Sequence, residues 1–539
     1  MLTDLRYAFR ELAKTPGFTA DGTVPVASGC QSRKEREASR AANIPNRTPM
    51  KPPSRFRAWS WLTAGAVCLL VANGRWAQAW GAWAALFCLL RFSSEAGPWR
   101  GFLAILIAGF GTNLLVWEGL LPLPAPLYQI VGIVNAVFLA APILMHRFLS
   151  TRLRGLTATL AYPCALVATQ YLISKISPSC TYGSIAYTQT FGPLLQIVSL
   201  AGIWGLLFFL GWSVSVADRW ARRAPMGLGP MVYLFSAVVL LGFGSVRWFS
   251  SPAKTATVKI AGLIGAFDFG RSIKDNEEAF HKASNEAGRQ LLERSAQAAN
   301  AGAKIVFWQE AALPLLKDEE SRFLAIAADF ARANQILLGV SLFVMPVEFP
   351  HKWADNKIVW LNPAGDRVSD YAKAHPTPAE AAVPGQELIQ SVAFNDTRLA
   401  SAICFDMDFP AFLRQAGAQQ VGLLCVPAND NREITPYHAR ITAFRAIEQG
   451  LTVIRATGNG LSVAYDSTGR ELDALTCFDN AEGRLLVNVP FQHRHTLYTA
   501  IGDALVWVCT GGLLLLLATA LRDSRRATKV DPLEALHAE

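Results

Sequence analysis

The sequence predicts a multi-span α-helical membrane domain, then an α/β layered domain, then one last membrane span. Hydrophobic residues make up 52% of the 539 residues and charged residues only 17%. Long apolar runs fill the first half of the chain and return near its end, and the polar region between them alternates β-branched strands with amphipathic helices. So apolar a composition is typical of a protein that crosses a membrane several times.

The composition changes along the chain divide it into five predicted segments. These are a basic N-terminal segment without fixed structure at 1–57, a seven-span membrane domain at 58–249, the α/β domain at 250–503, an eighth span at 504–521 and a tail at 522–539. A helix needs about 20 apolar residues to cross a bilayer. The predicted spans are 58–73, 76–91, 101–121, 127–146, 155–175, 192–213, 228–249 and 504–521.

Basic residues cluster on one side of these spans. Arginines precede the first span and follow the second, fourth, sixth and eighth, whereas the opposite loops carry few charges. The positive-inside rule therefore predicts that both termini are cytoplasmic. Seven spans then place the α/β domain on the outer face of the membrane, which in a bacterium is the periplasmic side. The net charge of +9 accompanies no nucleic-acid motif, so we interpret the basic residues as topology signals and predict no nucleic-acid partner.

No motif in the sequence indicates a metal or a cofactor. The nine cysteines form no CxxC pair and show no zinc-ligand spacing. The chain has neither a Walker-type phosphate-binding loop nor an HExxH motif. We therefore predict a chemistry carried by amino-acid side chains alone.

Three residues of the α/β region supply a carboxylate, an ammonium and a thiol: Glu310, Lys373 and Cys404. Glu310 follows a predicted strand at 304–308, and Cys404 ends another at 399–404, so each is expected to project rigidly into a cleft. These are the groups that acyl transfer through a thioester requires. Each also has a structural explanation, since a strand-end cysteine is usually buried and a lysine after a hairpin is usually solvated. Glu310 is flanked by apolar residues, so it needs a partner or a shifted pKa.

The segments around these residues resemble the Glu–Lys–Cys signatures of the nitrilase superfamily. Within that superfamily the chain resembles the apolipoprotein N-acyltransferase family, over roughly residues 58–521. The resemblance rests on 306–314, 371–375, 402–406, 440–450, 453–462 and 496–503. It implies that the α/β domain is a nitrilase-like αββα sandwich.

The resemblance also implies roles for individual residues. Cys404 is expected as the nucleophile, Glu310 as the general base and Lys373 as the group that stabilises the oxyanion. Glu380 is a candidate second acidic residue. The candidate supporting residues are Asp406, Asn429, Arg445 and Glu448. His438 occupies the place of a family histidine, and we predict a structural rather than a chemical role for it.

The substrates follow from the same resemblance. The expected acyl donor is a phospholipid, and the expected acceptor is the free amino group of a diacylglyceryl-modified apolipoprotein. The acyl chain would pass through a Cys404 thioester in a ping-pong reaction. The expected protein is a monomer, integral to the inner membrane.

The sequence departs from the family pattern at the site. The segment from Lys373 to Glu380 is one residue shorter and lacks a glycine, and Asp406 stands where a glutamate is usual. Asn431 and Arg432 replace a common aromatic residue. These changes put individual contacts and acyl-chain preference in doubt, but they leave the three central residues in place.

Two alternative functions remain open at this point. The first is a membrane-tethered amidase or carbamoyl hydrolase with a small substrate, although one span would suffice for tethering. The second is a non-catalytic transporter component, because residues 1–19 and 530–536 resemble the two ends of macrolide-exporter-type ABC permeases.

Overall fold

The computed structural model describes residues 55–121, 123–250, 256–265, 277–347, 353–478 and 483–527. Almost all of the predicted N-terminal segment at 1–57 lies outside these ranges, and so does most of the tail. The two permease-like segments lie outside them as well. The predictions for those segments therefore stay predictions.

Seven long helices lie in the predicted membrane domain of the described chain. They are α1 (Arg55–Leu70), α2 (Ala79–Glu95), α3 (Pro98–Val116), α4 (Ala125–Ser150), α5 (Gly155–Ile176), α6 (Val198–Ala221) and α7 (Gly229–Phe249). Large apolar side chains such as Leu234 and Phe235 on α7 are exposed on their outer faces. Such a surface is expected where the solvent is lipid.

The sixth predicted span, 192–213, is broken in the structure. Residues Gly192–Leu195 form a separate short turn of helix, and α6 bends at Ala201 and Gly202. Gly202 has φ +63°, and a Cβ there would lie 2.6 Å from the ring of Tyr498. The close approach of that ring and the left-handed backbone both require glycine, which explains why an unbroken apolar run does not form one helix.

The α/β domain contains thirteen strands in the described residues, arranged in two sheets. The strands are β1 (Thr257–Leu263), β2 (Ile305–Trp308), β3 (Leu313–Leu316), β4 (Leu337–Met345), β5 (Asp355–Leu361), β6 (Arg367–Ala372), β7 (Ser391–Phe394), β8 (Thr397–Ser401), β9 (Val421–Ala428), β10 (Thr452–Thr457), β11 (Leu461–Tyr465), β12 (Glu471–Thr476) and β13 (Arg484–Pro490). The first sheet has the order β13-β1-β2-β4-β5-β6, with β3 beside β4, and the second has the order β12-β11-β10-β9-β8-β7.

Two helices cover the outer face of each sheet. The helices α8 (Glu277–Asn300) and α9 (Glu320–Asn334) pack on the first sheet, and α10 (Pro410–Ala418) and α11 (Tyr437–Gln449) pack on the second. The inner faces meet, since the indole N–H of Trp360 donates to Ser401 across the sheets at 2.9 Å. The predicted αββα sandwich is therefore confirmed.

The last helix, α12 (Ala504–Ala527), follows the domain and packs against α5 and α6. By length and composition, six helices of the described chain can cross a membrane: α3 to α7 and α12. The helices α1 and α2 have only 16 and 17 residues. At about 1.5 Å per residue they fall short of a hydrocarbon core of about 30 Å, so the count of eight spans stays a prediction.

The parallel strands at the centre of each sheet determine at which edge of the sandwich the candidate site residues lie. The strands β1, β2 and β4 are parallel, as are β8, β9 and β10. The carboxyl ends of β2 and β9 meet, because the backbone N–H of Glu310 donates to the carbonyl of Ala428 at 3.3 Å. The loops after β2, β8 and β9 therefore converge at one edge of the domain.

Direct hydrogen bonds join the membrane helices to the α/β domain. The break in α6 frees the backbone N–H of Ile203, which donates to Glu448 at 3.0 Å. The indole of Trp204 donates to Asp503 at 2.9 Å. These bonds fix the α/β domain on the membrane helices.

Candidate active site

Glu310, Lys373 and Glu380 form one buried ionic cluster. The ammonium of Lys373 lies 2.7 Å from a carboxylate oxygen of Glu310 and 2.5 Å from one of Glu380. The side-chain amide of Asn356 donates to both carboxylates, at 2.8 and 2.6 Å. The shortened segment after Lys373 thus still delivers a second carboxylate, as predicted for Glu380.

The backbone explains why these groups meet. Glu310 follows β2, and Lys373 follows β6, which pairs with β5 so that the N–H of Lys373 donates to the carbonyl of Asn356 at 2.8 Å. Gly385 closes the loop, because a Cβ there would lie 2.4 Å from the carbonyl oxygen of Ala372. The cluster is therefore held by strand register and a tight loop.

Burial and charge act together on the protonation of this cluster. Burial raises the pKa of the Glu310 carboxyl, and the charge of Glu380 raises it further, although the Lys373 ammonium opposes both. Burial alone would lower the pKa of Lys373, but the charge of Glu310 raises it above its ordinary value. A carboxylate with a raised pKa beside a permanent cation is suited to accept a proton.

The prediction that Cys404 ends a strand is wrong, because β8 stops at Ser401. The thiol stands at the start of a tight turn, Cys404–Asp408, with φ +47°. Asp406 holds this turn, accepting from the N–H of Ile403 at 2.8 Å and from the hydroxyl of Tyr371 at 2.7 Å. A left-handed non-glycine residue costs about 1–3 kcal/mol and is common at functional positions.

The thiol of Cys404 lies beside the ionic cluster and is only 5% exposed. Burial raises its pKa, and the charge of Glu310 raises it further, whereas His438 and Lys373 lower it. The resting thiol is therefore protonated, and it needs a base to become a nucleophile.

A second buried network lies on another side of the sulfur. One ring nitrogen of His438 lies 3.0 Å from Asp430 and the other 3.0 Å from Asp408. The guanidinium of Arg455 forms two hydrogen bonds to Asp430, both 2.7 Å long. The Sγ of Cys404, a ring nitrogen of His438 and a carboxylate oxygen of Asp430 lie within 4.8 Å of one another.

The residue types of Cys404, Asp430 and His438 are also those of a soft metal site. Both ring nitrogens of His438 are engaged with carboxylates, and the Arg455 guanidinium lies 3.0 Å from one of them. A divalent cation would have to displace these bonds beside a buried positive charge. The arrangement therefore fits an ion-pair network better than a metal centre.

The other predicted supporting residues lie away from the sulfur or act indirectly. Asp406 contacts the backbone before Cys404 and not Lys373. Asn429 is exposed and accepts a hydrogen bond from Asn459. Arg445 pairs with Glu448 and donates to Tyr187 at the junction with the membrane helices. Burial raises the pKa of Glu448 to about 7.

Four polar residues of the site were not predicted from the sequence: Asn356, Asp408, Asp430 and Arg455. An arginine inside an apolar strand and two aspartates in apolar surroundings are signals of buried ion pairs, because an unpaired buried charge is very costly. No sequence signal singles out Asn356.

A cavity of about 160 Å³ lies between the membrane helices and the loop after α5. Its lining includes the amides of Asn73, Asn113 and Gln170 and the ring of Tyr182. That ring packs against His438, with centroids 6.0 Å apart. The cavity is therefore lined by a residue that contacts His438.

Comparison with known families divides the chain in the same way as the structure. Residues 64–217 match the model of the apolipoprotein N-acyltransferase N-terminal domain. Residues 278–503 match the carbon-nitrogen hydrolase model.

Relatives with this name match most of the chain. An apolipoprotein N-acyltransferase of Geobacter metallireducens is 26% identical over 68% of this chain and 75% of its own length. One of Azotobacter vinelandii is 27% identical over 78% of this chain and 84% of its own. Among solved structures, an amidase from a Nesterenkonia species is 19% identical with a TM-score of 0.38, over 48% of this chain and 99% of its own.

Proposed function

Because the chain belongs to the apolipoprotein N-acyltransferase family, we propose that Cys404 carries a fatty acyl group from a phospholipid to a lipoprotein. The protein is a multi-pass membrane acyltransferase. Its acceptor is the α-amino group of the diacylglyceryl-modified N-terminal cysteine of an apolipoprotein. The observation that carries the proposal is the buried cluster of Glu310 and Lys373 beside the Cys404 thiol, in a chain whose membrane helices match the acyltransferase domain.

In the first half-reaction, Glu310 takes the proton of the Cys404 thiol while Sγ attacks the ester carbonyl carbon of the phospholipid. The carbonyl oxygen becomes an oxyanion. When the intermediate collapses, the bond to the glycerol oxygen breaks and Glu310 returns the proton to that oxygen. A lysophospholipid leaves, and the acyl group stays on Cys404 as a thioester.

In the second half-reaction, the amino group of the lipoprotein attacks the thioester carbon. Glu310 accepts a proton from the nitrogen, the carbon–sulfur bond breaks, and the sulfur recovers its proton. The product is an amide. Since an amide is less reactive than a thioester, the transfer does not reverse.

Lys373 is the group that stabilises the oxyanion in both half-reactions. Its ammonium is 1% exposed and keeps its charge, because burial is outweighed by Glu310 and the neighbouring acidic groups. Removing one preorganised oxyanion-stabilising group typically costs about 10²–10³ in rate, or about 2.7–4 kcal/mol. Asn356 and Glu380 hold Lys373 in place through the bonds described above.

The membrane helices explain a lipid substrate better than the alternative small-molecule amidase. Moving each acyl CH₂ into water costs about 0.8 kcal/mol, so the site must come to the bilayer. The hydrogen bonds from Ile203 and Trp204 hold the domain on the helices. We further propose that both termini are cytoplasmic and that the α/β domain is periplasmic, as the arginine distribution predicts.

Complementation of a bacterial strain depleted of its own N-acyltransferase tests the proposal. The wild-type chain is expected to restore growth and N-acylated lipoproteins, and Glu310→Gln, Lys373→Met and Cys404→Ala are expected to fail at equal membrane abundance. A matched control is Lys357→Met, which removes another buried lysine, paired with Glu320 away from the thiol. Rescue by Cys404→Ala, or failure of a well-expressed wild-type chain, would contradict the proposal.

A further inference from the structure

We propose that His438 is a positioning residue for the nucleophile: it is held as a fixed cation between Asp408 and Asp430 and stabilises the Cys404 thiolate as it forms. This goes beyond the Glu–Lys–Cys mechanism and rests on the proposed function only for its effect on turnover. It replaces the purely structural role that the sequence suggested for His438.

The contacts to two carboxylates favour a ring that is protonated on both nitrogens. Asp430 lies 3.0 Å from Nδ1 and Asp408 lies 3.0 Å from Nε2. A carboxylate only accepts hydrogen bonds, so both nitrogens act as donors when both partners are ionised. An imidazole that donates from both nitrogens is an imidazolium.

The surroundings of the ring agree with this state. His438 is 2% exposed and Asp408 is fully buried, so water does not screen the pair. Burial alone would lower the pKa of His438, but the charge of Asp408 and the bonds to Asp408 and Asp430 raise it well above its ordinary value. Arg455 opposes this effect, since one guanidinium nitrogen lies 3.0 Å from Nδ1, but its two hydrogen bonds to Asp430 keep that carboxylate ionised and able to accept from the ring.

The charged and titratable groups that face His438 come from every element around it. Asp408 lies on the turn after β8, Asp430 on the loop after β9, and Arg455 on β10. Tyr182, from the loop after α5, packs edge-on against the ring. Cys404 is the uncharged member of this group, and the sulfur lies within 4.8 Å of the ring nitrogen and of Asp430.

The network therefore differs in function from Lys373. Lys373 is paired with the carboxylates of Glu310 and Glu380, whereas loss of the Nε2 proton of His438 would remove the hydrogen bond from the ring to the buried Asp408. A fixed cation next to sulfur lowers the free energy of the thiolate and orients Sγ, while Glu310 still receives the proton. His438 acts on the acyl group through Cys404.

Peptide-resolved alkylation of the full-length protein in detergent tests this proposal. Iodoacetamide reacts with the thiolate, so the alkylation rate of Cys404 against pH reports how readily the thiol ionises. An opposite charge within about 4–6 Å shifts a pKa by about 1–3 units. For His438→Gln we expect the midpoint to move up by at least about one pH unit, which slows alkylation about tenfold at a fixed lower pH.

Two further variants keep the result interpretable. Asp408→Asn removes the charge that keeps His438 protonated and is expected to shift the midpoint in the same direction by a smaller amount, so it replaces His438→Gln if that variant does not fold. His281→Gln is the control. His281 lies on α8, which packs on the first sheet, and it pairs with Glu319 at 2.8 Å. This variant is expected to leave the alkylation rate against pH unchanged.

An unchanged alkylation midpoint in folded His438→Gln and Asp408→Asn, judged by their melting temperatures, would overturn the proposal. The alkylation rate is measured without lipid, so its result does not depend on whether the proposed acyl transfer occurs. If the protein is an acyltransferase, the thioester-forming rate of His438→Gln falls while the apparent affinity for phospholipid vesicles stays unchanged. A loss of affinity alone would also contradict a role in positioning the thiol.

Discussion

Two buried ionic clusters, one beside Cys404 and one between α2, α4 and α6, differ in the lengths of their contacts. The catalytic cluster consists of Glu310, Lys373, Glu380 and Asn356, and the distal cluster consists of Asp218, Arg91, Arg222 and His146. In the catalytic cluster the contacts to the two carboxylates are 2.5–2.8 Å long. In the distal cluster, Asp218 lies 2.5 Å from Arg222 but 3.7 Å from Arg91 and 3.8 Å from His146.

The difference in contact lengths indicates a different role for each cluster. The break in α6 binds Glu448 at Ile203, and Asp218 lies fifteen residues further along the helix, which is about 22 Å at 1.5 Å per residue. The distal cluster cannot touch the reaction, and its long contacts suit the joining of α2, α4 and α6. The role proposed for the cluster beside Cys404 requires the closer contacts, because they hold Glu310 and Lys373 in a fixed geometry.

Asp218→Asn is the largest expected effect, and it falls on stability. Asp218 is fully buried, so its loss removes the carboxylate that contacts Arg222 and leaves Arg91 with Glu95 alone. Breaking a buried pair in this way costs about 3–5 kcal/mol. We expect a lower melting temperature of the detergent-solubilised protein and an unchanged rate of acyl transfer per folded molecule. A normal melting temperature with lost activity would reverse the roles given to the two clusters.

Lys373→Met is expected to lower the reaction rate and to leave the stability of the fold almost unchanged. The acylation rate of Cys404 should fall about 10²–10³-fold, because the oxyanion loses its cation. The fold is expected to persist, since Glu310 and Glu380 can share a proton in place of the ammonium. Rapid-quench measurement of thioester formation with phospholipid vesicles checks the rate. Lys357→Met is the matched control, and an equal loss of rate in that variant would show that only stability was affected.

Asp406→Asn tests the contribution of the turn at Cys404 and leaves Glu310, Lys373 and Glu380 unchanged. The two carboxylate oxygens accept from Ile403, Tyr371 and His375, and an amide offers only one acceptor oxygen. Leaving a buried donor unpaired costs about 1–3 kcal/mol. We expect about a tenfold fall in kcat with little change in KM, because the Cys404 turn loses its anchor. Asp396→Asn, at an exposed position, is expected to behave like the wild type. A change confined to KM would contradict this role.

Glu380→Gln gives the smallest expected effect, a change in pH dependence. The charge of Glu380 raises the pKa of Glu310, which acts as a base only when ionised. Removing that charge lowers the pKa of Glu310, so the acid limb of thioester formation moves to lower pH, by about one unit or less. Glu471→Gln, at an exposed position, serves as the control. A shift toward higher pH would mean that another group sets the limb.

The parts of the fold that depend on local pattern were predictable. The apolar runs located the membrane helices, and the predicted strand at 304–308 agrees with β2 at Ile305–Trp308 to within one residue. The short strands β3, β7 and β12 were missed, since each has only four to six residues and little periodicity. The turn at Cys404 was taken for strand because its left-handed backbone is fixed by Asp406 and not by the apolar run.

Only the site residues that lie in recognisable sequence motifs could be predicted. Glu310, Lys373 and Cys404 stand in recognisable segments, and Glu380 was placed despite the shorter loop. Asn356 enters through the pairing of β5 with β6, which brings its carbonyl to the N–H of Lys373. The pairing of β9 with β10 likewise sets Arg455 beside Asp430. Such contacts depend on register between strands distant in sequence, which no local pattern reports.

The most direct test of the central claim is mass spectrometry of Cys404 after incubation with phospholipid vesicles alone. We expect the Cys404 peptide to carry one fatty acyl group that neutral hydroxylamine removes. We also expect a diacylglyceryl peptide with a free α-amino group to take up that group as an amide. A folded, vesicle-exposed protein whose Cys404 stays unmodified, or whose acyl group sits on another residue, would contradict the account.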